Sequence, residues 1–429
     1  MLKRLSERAR SSTVARNAGW MFLGQGVSIV NQGLYFLLLA RLLGVGEYGA
    51  LVGAGAAVGM LSQYSSVGSG FVFLRYVGAT RSRFSEYWGS ILVLTVSVGL
   101  LLTLVLHILG RVLLPHTPVM LLLSLALADC VCSQLTLCCG QIFQTYERMR
   151  ITAILNMATN VARMLLAGAW LFSVHRATAT QWAYTSLAIS FCTATAAVII
   201  VMRHFGRPAF SLRLLRSQLG EGFIFSVSGS TTSAYNDLDK AMLGHYGMNA
   251  ANGVYSMAYR VVDIAYLPIR SIHSAAFPRF FRHGVDGIGA TERYAKKILQ
   301  KTTIFGMLSA IGMVLLAPIV PHVLGKGFAQ SVSAMRWLAL IPLFRCFHLS
   351  AGDAMAGAGY QRYRLAAQAF AAGANFAMNL YLIPHFSWQG AALASLLTDG
   401  GLGVLTWVVL LHLRRREQGR NEMVAAVAQ

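Results

Sequence analysis

The sequence predicts an all-α integral membrane protein of about twelve transmembrane helices, and three observations lead there. Hydrophobic residues make up 56% of the 429 and charged residues only 12%, against roughly 25% charged in a soluble domain. Apolar runs recur at the length of roughly 20 residues that a helix needs to cross a hydrocarbon core about 30 Å thick. Lys and Arg gather in alternate connections, the pattern of cytoplasmic loops in multi-pass proteins. Because no water reaches the bilayer interior, each span must satisfy its own backbone, which selects helices.

In chain order, a basic segment at 1–16 comes first, followed by apolar stretches at 17–40, 48–74, 87–109, 119–145, 151–173 and 180–202. A basic loop then leads to 218–243, 251–277, 298–320, 330–357, 364–383 and 388–412, and a polar tail fills 413–429. The organisation is therefore a cytoplasmic N-terminus at 1–16, a first six-helix half with its connecting loop at 17–210, a second half at 211–412 and a cytoplasmic tail. No cleavable leader is expected, since Met1 to Arg16 is polar and basic and no small-residue cleavage pattern closes the first apolar run. With the N-terminus inside, 26 of the 36 Lys and Arg fall on the cytoplasmic side, and Arg41, Arg111, Arg176, Lys240 and Lys326 fall opposite. The net charge of +21 thus reports topology and attraction to anionic headgroups. A nucleic-acid partner is excluded, because that needs a basic patch on a folded soluble surface.

The turn "RLLGVGEYG" at 41–49 joins the first two spans, with Gly44, Gly46 and Gly49 allowing a tight bend and Arg41 and Glu47 meeting water. "LLGVGEYGAL" there has a counterpart in "MLGHYGMNAANGVYSMA" after the seventh span. Six helices separate the copies, so the halves share one orientation, as in transporters built from parallel repeats. Such a molecule is expected to enclose a central cavity between its halves. The six cysteines, Cys130, Cys132, Cys138, Cys139, Cys192 and Cys346, all fall in predicted spans and read as small buried hydrophobes. Neither a metal site nor a disulfide framework is expected from them.

Five arginines fall inside spans: Arg163, Arg260, Arg270, Arg336 and Arg345. A cation at the bilayer centre costs at least about 2.5–3.5 kcal/mol on insertion scales, so such groups face a bundle interior or a wet cavity. At 3.6 residues per turn, Arg260, Asp263 and Arg270 share one arc of about 80° with Ser274. Arg260 and Asp263 either neutralise each other or line a cavity together. Arg163, Arg270 and Arg345 have no acid three or four residues away and are the stronger candidates for binding an anionic substrate. Arg336, nearer a helix end, joins them or snorkels to the interface. Asp129, Asp237, Asp239, Asp263, Asp353 and Asp399 lie at depth, as partners of the arginines or as carriers of a coupling ion. Pro268, Pro278, Pro318, Pro321 and Pro342 are expected to kink or end helices. Trp20, Tyr87, Trp88, Trp182, Trp337 and Trp388 are placed as interfacial aromatics.

Four stretches carry a family resemblance: "RNAGWMFLGQGVSIVNQGLYFLLLARLLGVGEYG", "VGSGFVFLRYV", "GVYSMAYRVVDIAYLPIRSIHSAAFPRF" and "NLYLIPHFSWQGAALASLLTD". In order and spacing they resemble oligosaccharide flippases of the Wzx type, the polysaccharide branch of the superfamily that also holds multidrug extruders and lipid II flippases. The resemblance implies a multidrug-extruder-like fold. It also implies movement of a polyprenyl (undecaprenyl) diphosphate-linked oligosaccharide from the cytoplasmic to the outer leaflet of a bacterial inner membrane by alternating access, for surface polysaccharide synthesis. No cofactor is implied beyond H+ or Na+ coupling, and the partners are the lipid-linked glycan, the bilayer, and a polymerase with its chain-length regulator. The competing classes are a cation-coupled multidrug antiporter of the same fold and a membrane polysaccharide polymerase or ligase. Short outer loops argue against the polymerase, intramembrane arginines against the extruder of cationic drugs, and motifs of an enzyme are missing from the sequence.

Overall fold

The computed structural model describes residues 2–80, 83–174 and 176–427, and among them helices alone occur as regular structure. The chain divides into two compact units, Met1–Ala250 and Ala251–Gln429.

The first unit contains α1 (Leu2–Ser62), α2 (Ser69–Thr80), α3 (Phe84–Leu113), α4 (Val119–Ala126), a π-helical segment (Leu127–Ser133), α5 (Gln134–Thr145), α6 (Met149–Ser173), α7 (Ala179–Phe205) and α8 (Leu212–His245). The second contains most of α9 (Asn249–Gly284), then α10 (Ile288–Leu316), α11 (Ile319–Leu324), a 3-10 turn (Lys326–Phe328), α12 (Ser331–Leu338), α13 (Ile341–Gly357) and α14 (Gln361–Val427). Each of the twelve predicted stretches is mainly helical, but several are interrupted. Eight helices among the described residues are long and apolar enough to span a membrane, including Gln361–Gly419. At 1.5 Å per residue that last one is far longer than a bilayer, and it divides into two passes at Ser387, whose φ of 55° and ψ of −133° break the helix. α8 and α9 are not among these eight; they are rich in polar residues and carry charge, Asp237, Asp239 and Lys240 in one and Arg260, Asp263 and Arg270 in the other.

Junctions explain how the chain reverses. Gly44 alone leaves helical geometry in the first turn, with φ 72°, so Gly46 and Gly49 remain helical. In the second copy Gly247 takes φ 70° between α8 and α9. Glu47 does more than meet water: its carboxylate accepts the Ala179 N–H at 2.6 Å and so caps α7, where a negative charge suits the helix dipole. Glu417 does the same for α10, accepting the Ile288 N–H at 2.8 Å. Glu292, fully buried, ties the same end of the second unit through Lys296 at 2.7 Å and Arg414 at 2.8 Å.

Lipid is as apolar as leucine, so close packing rather than water exclusion joins membrane helices. Glycines provide it: a Cβ on Gly99 of α3 would stand 2.6 Å from the Cys130 carbonyl in the π segment, and one on Gly306 of α10 3.0 Å from Leu343 of α13. Phe73, Phe84, Trp88, Ile142 and Phe143 form an aromatic core in the first unit, and Ala276, Phe280, Ile298, Met355 and Leu410 a second core in the other.

Three sequence expectations are corrected. Cys192 is exposed, unlike the other five cysteines, because it occupies an outward face of α7. Trp88, Trp182 and Trp388 are buried; Trp182 reaches Tyr35 through its indole N–H at 3.2 Å, so these rings pack the protein rather than the interface. Trp337 is exposed, and the Trp20 side chain lies outside the described residues. Pro342 does not kink a helix but opens α13 after a break at 339–340, where its missing N–H costs nothing. Pro268 and Pro278 do lie inside α9, and Ser309 donates to the Ala265 carbonyl at 2.8 Å, meeting a backbone acceptor next to the proline-disturbed turn.

Candidate functional site

In the second unit, α9, α13 and α14 bring together charges that lie far apart in the sequence. Arg345 on α13 has Nε 3.6 Å from Asp399 of α14 and Nη1 3.9 Å from Asp263 of α9. Arg260 is 3.8 Å from the same Asp263, one turn away on α9. The Tyr266 ring lies under the Arg345 guanidinium at 5.1 Å, a cation–π contact that needs no acid. His348 stands 3.6 Å from Asp399. Arg345 has no acid three or four residues away along its own helix, and two other helices supply carboxylates.

Those pairings are long. Each exceeds hydrogen-bond reach, and among the described residues the Arg345 guanidinium makes no hydrogen bond. Its side chain is 10% exposed. A buried guanidinium normally fills its fork of donors, so these N–H groups are compensated in charge but open to oxygen acceptors. Arg270, a turn beyond Tyr266, is exposed and has no acidic partner among the described residues, which leaves the α9 stripe with a cationic excess. Arg336 is also exposed, in the last turn of α12.

A second group sits further along the same helices. Asp353 receives His273 at 2.8 Å and Arg364 at 3.1 Å, one on each carboxylate oxygen. Both His273 and Asp353 are buried. With two partners at hydrogen-bond distance Asp353 is a structural tie, binding α9 and the start of α14 to α13.

In the first unit Arg163 of α6 donates to Ser190 of α7 at 2.9 Å and lies 3.9 Å from Asp129 in the π segment. Asp129 also accepts from Ser133 at 3.1 Å. Asp237 pairs with Lys240 at 2.6 Å, and Asp239 accepts the Lys240 backbone N–H at 2.7 Å. Lys240 is almost wholly buried, so this pair neutralises a cation of α8 within its own turn.

The charges are legible in the sequence; their assembly is not. Sequence reasoning misses His273, which sits in a span with no unusual neighbour in sequence, and it misses Asp399 as the partner of Arg345. The signal for the latter was available only as two lone charges of opposite sign in separate spans.

Three solved structures share the fold. A multidrug resistance MATE family transporter of the MOP superfamily, in an inward-facing conformation, is similar with a TM-score of 0.70 at 14% identity, over 90% of this chain and 96% of that one. The lipid II flippase MurJ, in an inward closed conformation, gives 0.72 at 13% identity over 91% and 86%. A MOP superfamily transporter from Pyrococcus furiosus, described as having a binding pocket of reverse polarity, gives 0.57 at 14% identity over 94% and 96%. At these identities the likeness is one of fold. No curated protein matches the sequence significantly. Over residues 14–283, well over half of its length, the sequence matches the polysaccharide biosynthesis protein family, and this multi-pass membrane chain, with the fold of the MATE and MurJ transporters, belongs to that family.

Proposed function

We propose that the protein is a Wzx-type flippase, moving a polyprenyl-diphosphate-linked oligosaccharide from the cytoplasmic to the outer leaflet of a bacterial inner membrane by alternating access, with both termini cytoplasmic. The observation that carries the reading is the Arg345 guanidinium: held inside membrane helices, balanced by carboxylates at 3.6 and 3.9 Å, yet with its donors unfilled among the described residues. A diphosphate cannot enter hydrocarbon without replacing its hydration, and a fork of N–H donors accepts phosphate oxygens in pairs. Arg270 adds the charge that the Arg260–Asp263 pair cancels, and Arg163 and Arg336 are the remaining cations of the path. Asp263 and Asp399 hold Arg345 in place until the anion arrives, then are free to relax toward Arg260 and His348. Asp129, Asp237, Asp239 and Asp353 serve as charge partners in this scheme, with H+ or Na+ coupling assigned to Asp263, the most exposed acid of the cluster. No bond is broken, so the protein is a transporter and not an enzyme, and a polymerase and its chain-length regulator act on the product.

Depletion in the native host tests this, following surface polysaccharide and the pool of polyprenyl-diphosphate oligosaccharide together by mass spectrometry. Loss of polymer with accumulation of a complete repeat unit facing the cytoplasm is the expected result. A repeat unit that still reaches the outer leaflet, with only polymer length changed, would move the protein to the polymerase class. If neither pool changes, the multidrug antiporter reading replaces this one.

A further inference from the structure

Hydropathy makes 48–74 one membrane helix, but the chain breaks there. α1 ends at Ser62 and α2 starts at Ser69. Between them the N–H groups of Tyr64, Ser65 and Val67 each bond the carbonyl three residues back, and Val67 and Gly68 take left-handed φ of 46° and 62°. Non-helical backbone at membrane depth survives only where it is buried in protein or lines a polar cavity. The neighbouring wall is α5, which follows the π segment, a helix form frequent at functional sites. α8 closes the third side, its Gly222 packed so closely on Val67 and Gly68 that no side chain fits at 222.

A cavity of about 300 Å³ lies among these three walls, at the small end of the roughly 300–1,000 Å³ of ligand sites. Gln63, Ser66, Gln134, Gln141 and Ser226 are its polar lining residues, and among the described residues no charged one lines it. Gln134 and Gln141 are buried, and none of the three glutamines has a side-chain hydrogen bond among the described residues. The Ser226 hydroxyl is buried without a partner among the described residues. Glycine at 229 makes room for one of these amides, since a Cβ there would stand 2.8 Å from Gln63 Oε1. Phe71 and Phe225 stack at 5.2 Å on the lining.

Amides open on this lining favour an occupant that exchanges hydrogen bonds with them, each worth about 0.5–1.5 kcal/mol net. The described lining offers a phosphate no cation to pair with. A lipid tail would leave three amides unsatisfied. A neutral ring bearing hydroxyls on its edge and C–H groups on its face meets both requirements, the hydroxyls exchanging bonds with amides and the face lying against the phenylalanines. We infer that this cavity is a sugar subsite, holding one or two neutral residues of the transported glycan, and the inference rests on the flippase reading. The topology proposed above puts residues 63–71, 134–141 and 225–229 in the cytoplasmic half of their spans, where a freshly assembled glycan loads.

The test uses the full-length protein in its own host. A p-benzoylphenylalanine at position 137, on the cavity lining, is irradiated in cells and the captured peptide is analysed for attached sugar. In parallel, Gln134→Leu and Ser226→Ala are assayed for export at matched protein abundance. The expected result is a glycan adduct at 137 that Gln134→Leu abolishes, with export down roughly tenfold for one to two lost hydrogen bonds. If depletion shows flipping while position 137 captures no sugar and both variants export normally, the subsite is overturned and the flippase reading stands. If depletion instead leaves both glycan pools unchanged, the reading fails and takes the subsite with it.

Discussion

As proposed, Arg345 has a substrate-binding role beside its structural one, and substitutions separate the two. Its nearest acid, Asp399, is 3% exposed; removing either partner of a buried pair typically costs about 3–5 kcal/mol, because the other is left uncompensated. Arg345→Ala alone is therefore expected to lower the melting temperature of the purified protein as well as export. Combining it with Asp399→Asn removes the stranded charge, and the double variant is expected to recover most of the stability while export stays lost. Recovery of export in the double variant would show that Arg345 serves packing only. Arg345→Lys keeps the charge without the fork, so export that matches wild type would assign the role to charge alone. Arg270 behaves differently because it is exposed and has no acid beside it among the described residues: Arg270→Ala should change stability by no more than about 0.5 kcal/mol, leaving abundance normal while export falls. Normal export at normal abundance removes Arg270 from the path.

At the scale of elements, three helix reversals use one solution. Arg148 N–H reaches the Phe143 carbonyl, Met248 the Leu243 carbonyl and Tyr360 the Met355 carbonyl, five residues back in each case. This closure places the intervening residue in left-handed geometry. Gly247 and Gly359 fill that position in two of the turns, whereas Glu147, at φ 57°, fills it in the third. An L-residue there costs about 1–2 kcal/mol relative to glycine, so Glu147→Gly is expected to raise the thermal midpoint of the purified protein by a few degrees. A lowered midpoint would mean that the Glu147 side chain is worth more than the strain. The glycines at 44, 247 and 359 are visible in the sequence as turn signals, and so were the twelve apolar stretches. The breaks at 63–68 and 339–340 and the π segment at 127–133 were not, because hydropathy averages over a window and registers composition, not whether each N–H finds its carbonyl. The ionic cluster was half legible for a related reason. Period along α9 grouped Arg260, Asp263 and Arg270, but no period links Arg345 to Asp399, which meet only through packing. The glutamine-lined cavity left even less trace, since isolated amides in an apolar run look like ordinary helix residues until three walls bring them together.

For the molecule as a whole, charge placement makes a claim about orientation that packing can help to test. Native cysteines suit the purpose: five are buried, and Cys192 is exposed only on a face of α7 set within a span, where a charged, membrane-impermeant maleimide does not reach. Wild-type protein in intact cells is therefore expected to remain unlabelled and to label after denaturation in detergent. Cysteines introduced at Lys326 and Arg415, both exposed and both at helix-connecting or terminal segments, then report the two sides. With 26 basic residues on the face proposed to be cytoplasmic, each opposing translocation of its segment, Lys326→Cys should label in intact cells and Arg415→Cys only after permeabilisation. The reverse pattern would invert the protein in the membrane. It would also move the amide-lined cavity to the outer half of its spans, so that it would meet the glycan at release instead of at loading, and labelling at both sites in intact cells would mean that α14 does not make two passes at Ser387.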